Sequence, residues 1–125
     1  MTVIGVPYHL DEYLADLDFP LRPATTVTAA LPAGDAWERL AVLYDAVSGA
    51  VAADVRRGAR PVVLTGDCAT SLGIVAGLQA AGADPGIVWF DAGQVAALGL
   101  ACTWHPGRAA APQIAPYLAI AQIAG

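Results

Sequence analysis

Two short apolar runs, Val62–Thr65 and Ile87–Phe90, constrain the fold more than any other feature of the chain. Both read as fully buried strands, and each ends in a polar cluster: Gly66-Asp67-Cys68 after the first, Asp91-Ala92-Gly93 after the second. Between them Thr70–Ala81 fits a crossover helix. Thr70 or Ser71 is placed to cap it, Gly82 to end it, and Asp84-Pro85-Gly86 is a turn signal. Strand, helix and strand joined by short loops form a βαβ unit, which builds parallel sheet with a right-handed crossover. In open α/β sheets ligands bind outside the carboxyl ends of the strands, so Asp67, Cys68 and Asp91 fall where a site would be.

The residues before this unit supply the rest of an α/β pattern. Thr2–Tyr8, interrupted by Pro7, reads as a first central strand with His9 just past its carboxyl end, where it also reads simply as a loop histidine. Leu10, Tyr13, Leu14 and Leu17 have helical spacing, which predicts one short helix before Pro20. The β-branched residues of Ala24–Leu31 predict a short edge strand. Asp35, followed three residues later by Glu38, is a capping-box pattern. Behind it Trp37, Leu40, Ala41, Tyr44, Val47, Val51 and Val55 recur at helical spacing. That helix is expected to run to Arg57, with Gly58 just beyond it and Arg56 and Arg57 favourable to its dipole.

At 125 residues the chain reads as one domain spanning residues 1–125. Hydrophobic residues make up 57% and charged residues 14%, which fits strands covered on both faces or an apolar surface buried in an oligomer. No run is long and apolar enough for a membrane span. A net charge of −5, with no lysine, leaves no footprint for nucleic acid. Cys68 and Cys102 are too few for a disulfide framework, and the N-terminus lacks a basic leader, so a reduced cytoplasmic setting is expected.

The two polar clusters resemble motifs of the ureohydrolase family (arginase, agmatinase and relatives). Its Gly-Gly-Asp-His motif is similar to Thr65-Gly66-Asp67-Cys68, and its Asp-Ala-His-x-Asp motif begins here as Asp91-Ala92. Gly93 then stands where the family has histidine and Val95 where it has the second aspartate, and no acidic residue follows Asp91 to supply the family's later Asp-x-Asp. The resemblance covers 1–92 and resumes in 93–125, as the family's last strand and C-terminal helix. It implies a three-layer α/β/α sandwich, a reduced arginase-like fold with a mainly parallel sheet of four or five strands. It also implies a metal-dependent hydrolase of guanidino or amidino C–N bonds, in which two Mn²⁺ ions activate a bridging water. Carried over residue by residue, the metal ligands that remain are Asp91 and the His-to-Cys position Cys68, too few for two Mn²⁺. Thiolate, moreover, favours softer ions. Asp67 takes a second-sphere or structural part in that resemblance.

Downstream, Val95–Cys102 reads as a strand and Arg108–Ile123 as a final helix through Ile114, Leu118 and Ile123, with Pro112 and Pro116 limiting its start. The link through Gly93-Gln94 is too short for a parallel crossover. The last strand therefore turns back antiparallel, fuses with the preceding one, or is donated to a second copy in a domain-swapped dimer, the outcome favoured by the apolar composition. Were all four strands parallel, His9, Cys68, Asp91 and His105 would share one edge. They would offer a set for Zn²⁺ or Fe²⁺, or a Cys–His nucleophile and base. The plainer alternative makes Cys68 and Cys102 small core residues and Asp91 a turn cap. The expectation is a catalytically silent, metal-free and oligomeric family member. The alternatives are a small hydrolase or biosynthetic enzyme using Cys68, Asp91 and the histidines, or a small-molecule binding module.

Overall fold

The computed structural model describes residues 1–89, 102–104 and 119–122. Strand β1 (Thr2–Val6) is central. After it come β2 (Tyr8–His9), β3 (Glu12–Tyr13) and β4 (Thr25–Thr26), then helix α1 (Ala36–Arg56), β5 (Pro61–Thr65) and helix α2 (Ser71–Ala80). The chain continues through β6 (Ile87–Trp89), β7 (Cys102–Trp104) and β8 (Ala119–Gln122). The main sheet has the order β4-β1-β5-β8, and every neighbouring pair in it is parallel. Ile4 lies opposite both Thr25 and Val63. This is an α/β fold on a parallel sheet, as expected.

Both central strands are buried along nearly their whole length, the signature of a sheet covered on two sides. On one face Ile4, Val6 and Val63 join Leu43, Val47 and Val51 of α1 and Ile74 and Leu78 of α2 in one core. Burying each of these side chains is worth roughly 1.5–3 kcal/mol. The other face is met by the segment between β3 and β4: a Cβ on Gly5 would lie 2.8 Å from Pro23 and 2.9 Å from the Phe19 ring. The chain therefore leaves β1 across one face to reach β4 and returns through α1 across the other to reach β5. The two connections diverge on either side of β1, which makes the β1/β5 boundary a topological switch point.

Helix α1 starts as its sequence demands. Asp35 accepts from the Glu38 N–H at 2.9 Å, and the Glu38 carboxylate accepts from the Asp35 N–H at 3.3 Å. It ends at Gly58, whose φ of 78° is the left-handed conformation that glycine adopts without a Cβ clash. Helix α2 lies against α1 through Gly73 and Gly77. A Cβ on Gly77 would lie 2.6 Å from the Ser48 carbonyl oxygen, and one on Gly73 2.9 Å from that of Tyr44.

Four expectations are corrected among the described residues. No helix forms before Pro20: β2 and β3 pair as an antiparallel hairpin, Tyr8 opposite Tyr13, and the Leu14 N–H donates to the Pro7 carbonyl. Cross-strand pairing and the edge-on Tyr8–Tyr13 ring contact (centroids 5.4 Å apart) outweigh weak helical spacing in a segment bounded by Pro20. Thr70 precedes α2 but gives it no side-chain cap. β5 does not pair with β6; its neighbours are β1 and β8. Finally, Ala119–Gln122, read as part of a closing helix, is a strand paired with β5. An apolar tetrapeptide beside an open, buried strand gains a full ladder of hydrogen bonds, a long-range gain that local periodicity does not register. The remainder of that helix, and Val95–Ala101 of the predicted strand, lie outside the described residues. β7 turns back antiparallel to β6, with Trp104 opposite Ile87.

Candidate functional site

The switch point brings two loops together at the carboxyl edge of the sheet: Pro7-Tyr8-His9-Leu10 after β1 and Gly66-Asp67-Cys68 after β5. The Gly66 N–H donates to the Tyr8 carbonyl at 3.1 Å. Gly66 is required there, because a Cβ would sit 2.6 Å from that same oxygen. Asp67 is the centre of the arrangement. Its Oδ2 accepts from the Leu10 N–H at 2.7 Å and its Oδ1 from the Thr70 N–H at 3.0 Å. The side chain that caps α2 is thus Asp67, three residues before Thr70. The Thr70 hydroxyl turns inward, 3.0 Å from the Thr65 hydroxyl and 3.4 Å from Asp67 Oδ1. Asp67 is 5% exposed; a carboxylate buried this deeply is tolerable because N–H groups solvate it.

Cys68, next in the chain, is free and exposed, which sets aside the reading of it as a core filler. It lies two residues before the first residue of α2. Tyr44 of α1 completes the neighbourhood: its hydroxyl is buried and has no hydrogen-bond partner among the described residues. Burial, then the charges of Asp67 and of Cys68, push its pKa up to about 12, so the phenol stays protonated and is a donor at neutral pH. His9 is exposed on the β2–β3 hairpin. The hairpin is fixed at its far end by Arg39, whose Nε lies 2.8 Å from Asp11 Oδ2 and whose Nη1 donates to the Pro32 carbonyl at 2.8 Å.

Of the sequence-predicted residues, the structure therefore brings the His9 loop, Asp67 and Cys68 to one edge. Asp91 and His105 lie outside the described residues. The parallel arrangement that would have aligned His105 with the others is not found, because β7 runs antiparallel to β6. No group of three or more His, Cys, Asp or Glu side chains suited to a metal ion occurs among the described residues. Sequence reasoning missed Tyr44, Leu10 and the Arg39–Asp11 pair. Tyr44 reads as one more apolar position on a helix face, and no spacing rule distinguishes its hydroxyl. The available signal for the cap was the Asp-x-x-Thr spacing of Asp67 and Thr70. No described helix is long and apolar enough to cross a membrane.

A parallel α/β sheet with its polar loops gathered at the β1/β5 carboxyl edge defines a switch-point protein, the class in which small molecules meet the strand ends. Within that class the sequence model of the arginase family matches residues 5–93, well over half of the chain, and the chain belongs to the arginase family. No curated protein and no solved structure gave a significant match.

Proposed function

We propose that this arginase-family chain does not carry out two-manganese hydrolysis and acts as a catalytically silent member whose carboxyl edge keeps a small-molecule site. One observation carries the reading: both carboxylate oxygens of Asp67 are committed to backbone N–H groups, while the neighbouring position, histidine in the family's motif, is the thiol Cys68. That donor set does not fit a manganese pair, which wants several free carboxylates and imidazoles. Oligomerisation, with a dimer as the expected state, belongs to the same proposal and is supported by the apolar composition of 57%. A reducing, cytoplasmic setting is compatible with an exposed free thiol.

The test is to load the purified protein with Mn²⁺, count metal per chain, measure urea release from guanidino compounds and determine the solution mass. Substoichiometric manganese, no urea and a dimeric mass are expected. Urea release with about two Mn per chain overturns the reading.

The exposure of Cys68 favours one second reading, a small hydrolase or biosynthetic enzyme in which the thiol is nucleophile or ligand to Zn²⁺ or Fe²⁺. It requires about one such metal per chain, or turnover abolished by Cys68→Ala or Asp91→Asn.

A further inference from the structure

We propose that the β2–β3 hairpin is a strap latched to the Cys68 loop through Asp67, so that occupation or modification of the thiol is transmitted to the hairpin. The hairpin has two catches. At its turn, the Leu10 N–H is held by Asp67 Oδ2 at 2.7 Å. Farther along, Asp11 Oδ2 is held by Arg39 Nε at 2.8 Å. Between them the hairpin is a two-stranded sheet of its own, separate from the main sheet, and such pairs are marginal without outside support. Its turn is biased towards release: Leu10 has φ 53°, left-handed backbone that a leucine rarely adopts and that persists only where the surroundings impose it.

Asp67 imposes it, and the same carboxylate orders the other loop by accepting from Thr70 N–H. Each oxygen serves one N–H, so an amide at this position can satisfy only one of the two loops; its NH₂ faces the other N–H and repels it. Cys68 is the next residue along the chain and is exposed. A group attached to its sulfur, or a ligand seated against it, displaces the Asp67 backbone and loosens the catch on Leu10. The hairpin carries His9 and the exposed apolar residues Leu10 and Tyr13, so its release changes the rim of the carboxyl edge.

The experiment alkylates Cys68 of the full chain with iodoacetamide. Peptide mapping separates its adduct from that of Cys102, and amide hydrogen exchange is then followed residue by residue. Alkylation of the unmutated protein is expected to speed exchange at Leu10 and Tyr13 by roughly fivefold, the scale of one lost hydrogen bond, and to leave Leu43–Val51 of α1 unchanged. Asp67→Asn is expected to reproduce the acceleration, with alkylation then adding nothing. Unchanged hairpin exchange in the alkylated unmutated protein overturns the proposal without reference to any variant. Arg39→Gln frees the far catch alone and is expected to accelerate Tyr13 more than Leu10; an equal rise at α1 core amides would mean global loosening and would also overturn it.

Discussion

The two edges of the parallel sheet are held by different means. At the amino edge the joints are made by backbone. Helix α1 closes on Gly58 and α2 on Gly82, with φ of 78° and 84°, and the Thr2 N–H donates to the Arg60 carbonyl at 2.9 Å. The cleft between the helix ends encloses about 570 Å³ and is lined largely by small residues, with Arg60 and Asp84 as its charged side chains. At the carboxyl edge the joints are made by side chains: Asp67 to two loops, Arg39 to Asp11, Thr65 to Thr70. Backbone joints tolerate many sequences provided the glycines remain. Side-chain joints tie particular residues together across the chain, and they occur at the switch point, where the family's motif lies.

The largest effect should come from cutting the central side-chain joint. Asp67→Ala strands two N–H groups next to a buried site, and a loss of about 3 kcal/mol in chemical denaturation is expected from hydrogen bonds to a charged acceptor. A loss near zero would remove the contrast between the edges.

Next comes the helix seam. Gly77→Ala places a methyl group 2.6 Å from the Ser48 carbonyl and should cost roughly 2 kcal/mol through overpacking, read as a lower thermal midpoint.

At the amino edge Gly58→Ala meets no atom within 4 Å. Its cost is confined to the left-handed backbone, about 1 kcal/mol. A cost as large as that of Asp67→Ala would mean that the amino edge, too, depends on side-chain space.

The smallest effect sharpens the picture at Tyr44. Tyr44→Phe removes a buried hydroxyl with no partner among the described residues and should leave stability unchanged or raise it by up to about 1 kcal/mol. Its pH dependence has a definite sign. The folded pKa is raised from 10.0 to about 12, so above pH 10 the unfolded chain loses this proton before the folded one does. Stability present below pH 10 is therefore lost as pH rises towards 12. Denaturant midpoints taken across that interval should fall less steeply in Tyr44→Phe than in the unmutated protein.

What the sequence made legible was local or strongly patterned. The buried runs at Thr2–Val6 and Pro61–Thr65, the Asp35–Glu38 capping box, and the terminating roles of Gly58 and Gly82 all follow from neighbours a few residues apart. The hairpin after β1 was not legible, because Leu10, Tyr13, Leu14 and Leu17 imitate a helix while their backbone groups pair across a turn. The strand at Ala119–Gln122 was missed for a related reason: its partner β5 lies far away in sequence, and alanines suit either state. At the site, the position of Asp67 and Cys68 after a central strand could be read directly. The work done by Asp67 could not, since one of its partners, Leu10, is 57 residues away.

The glycine seam between α1 and α2 has a consequence for the distant thiol. Because Gly73 and Gly77 carry no side chains, the separation of the two helix axes is set by main-chain contact and hardly by side-chain shape. Cys68 sits at the head of α2, so any residue that widened the seam would swing that head outward like a lever about its far end. The reach of the sulfur over the sheet edge is therefore a dimension fixed within the helical layer, by two positions that never touch a ligand.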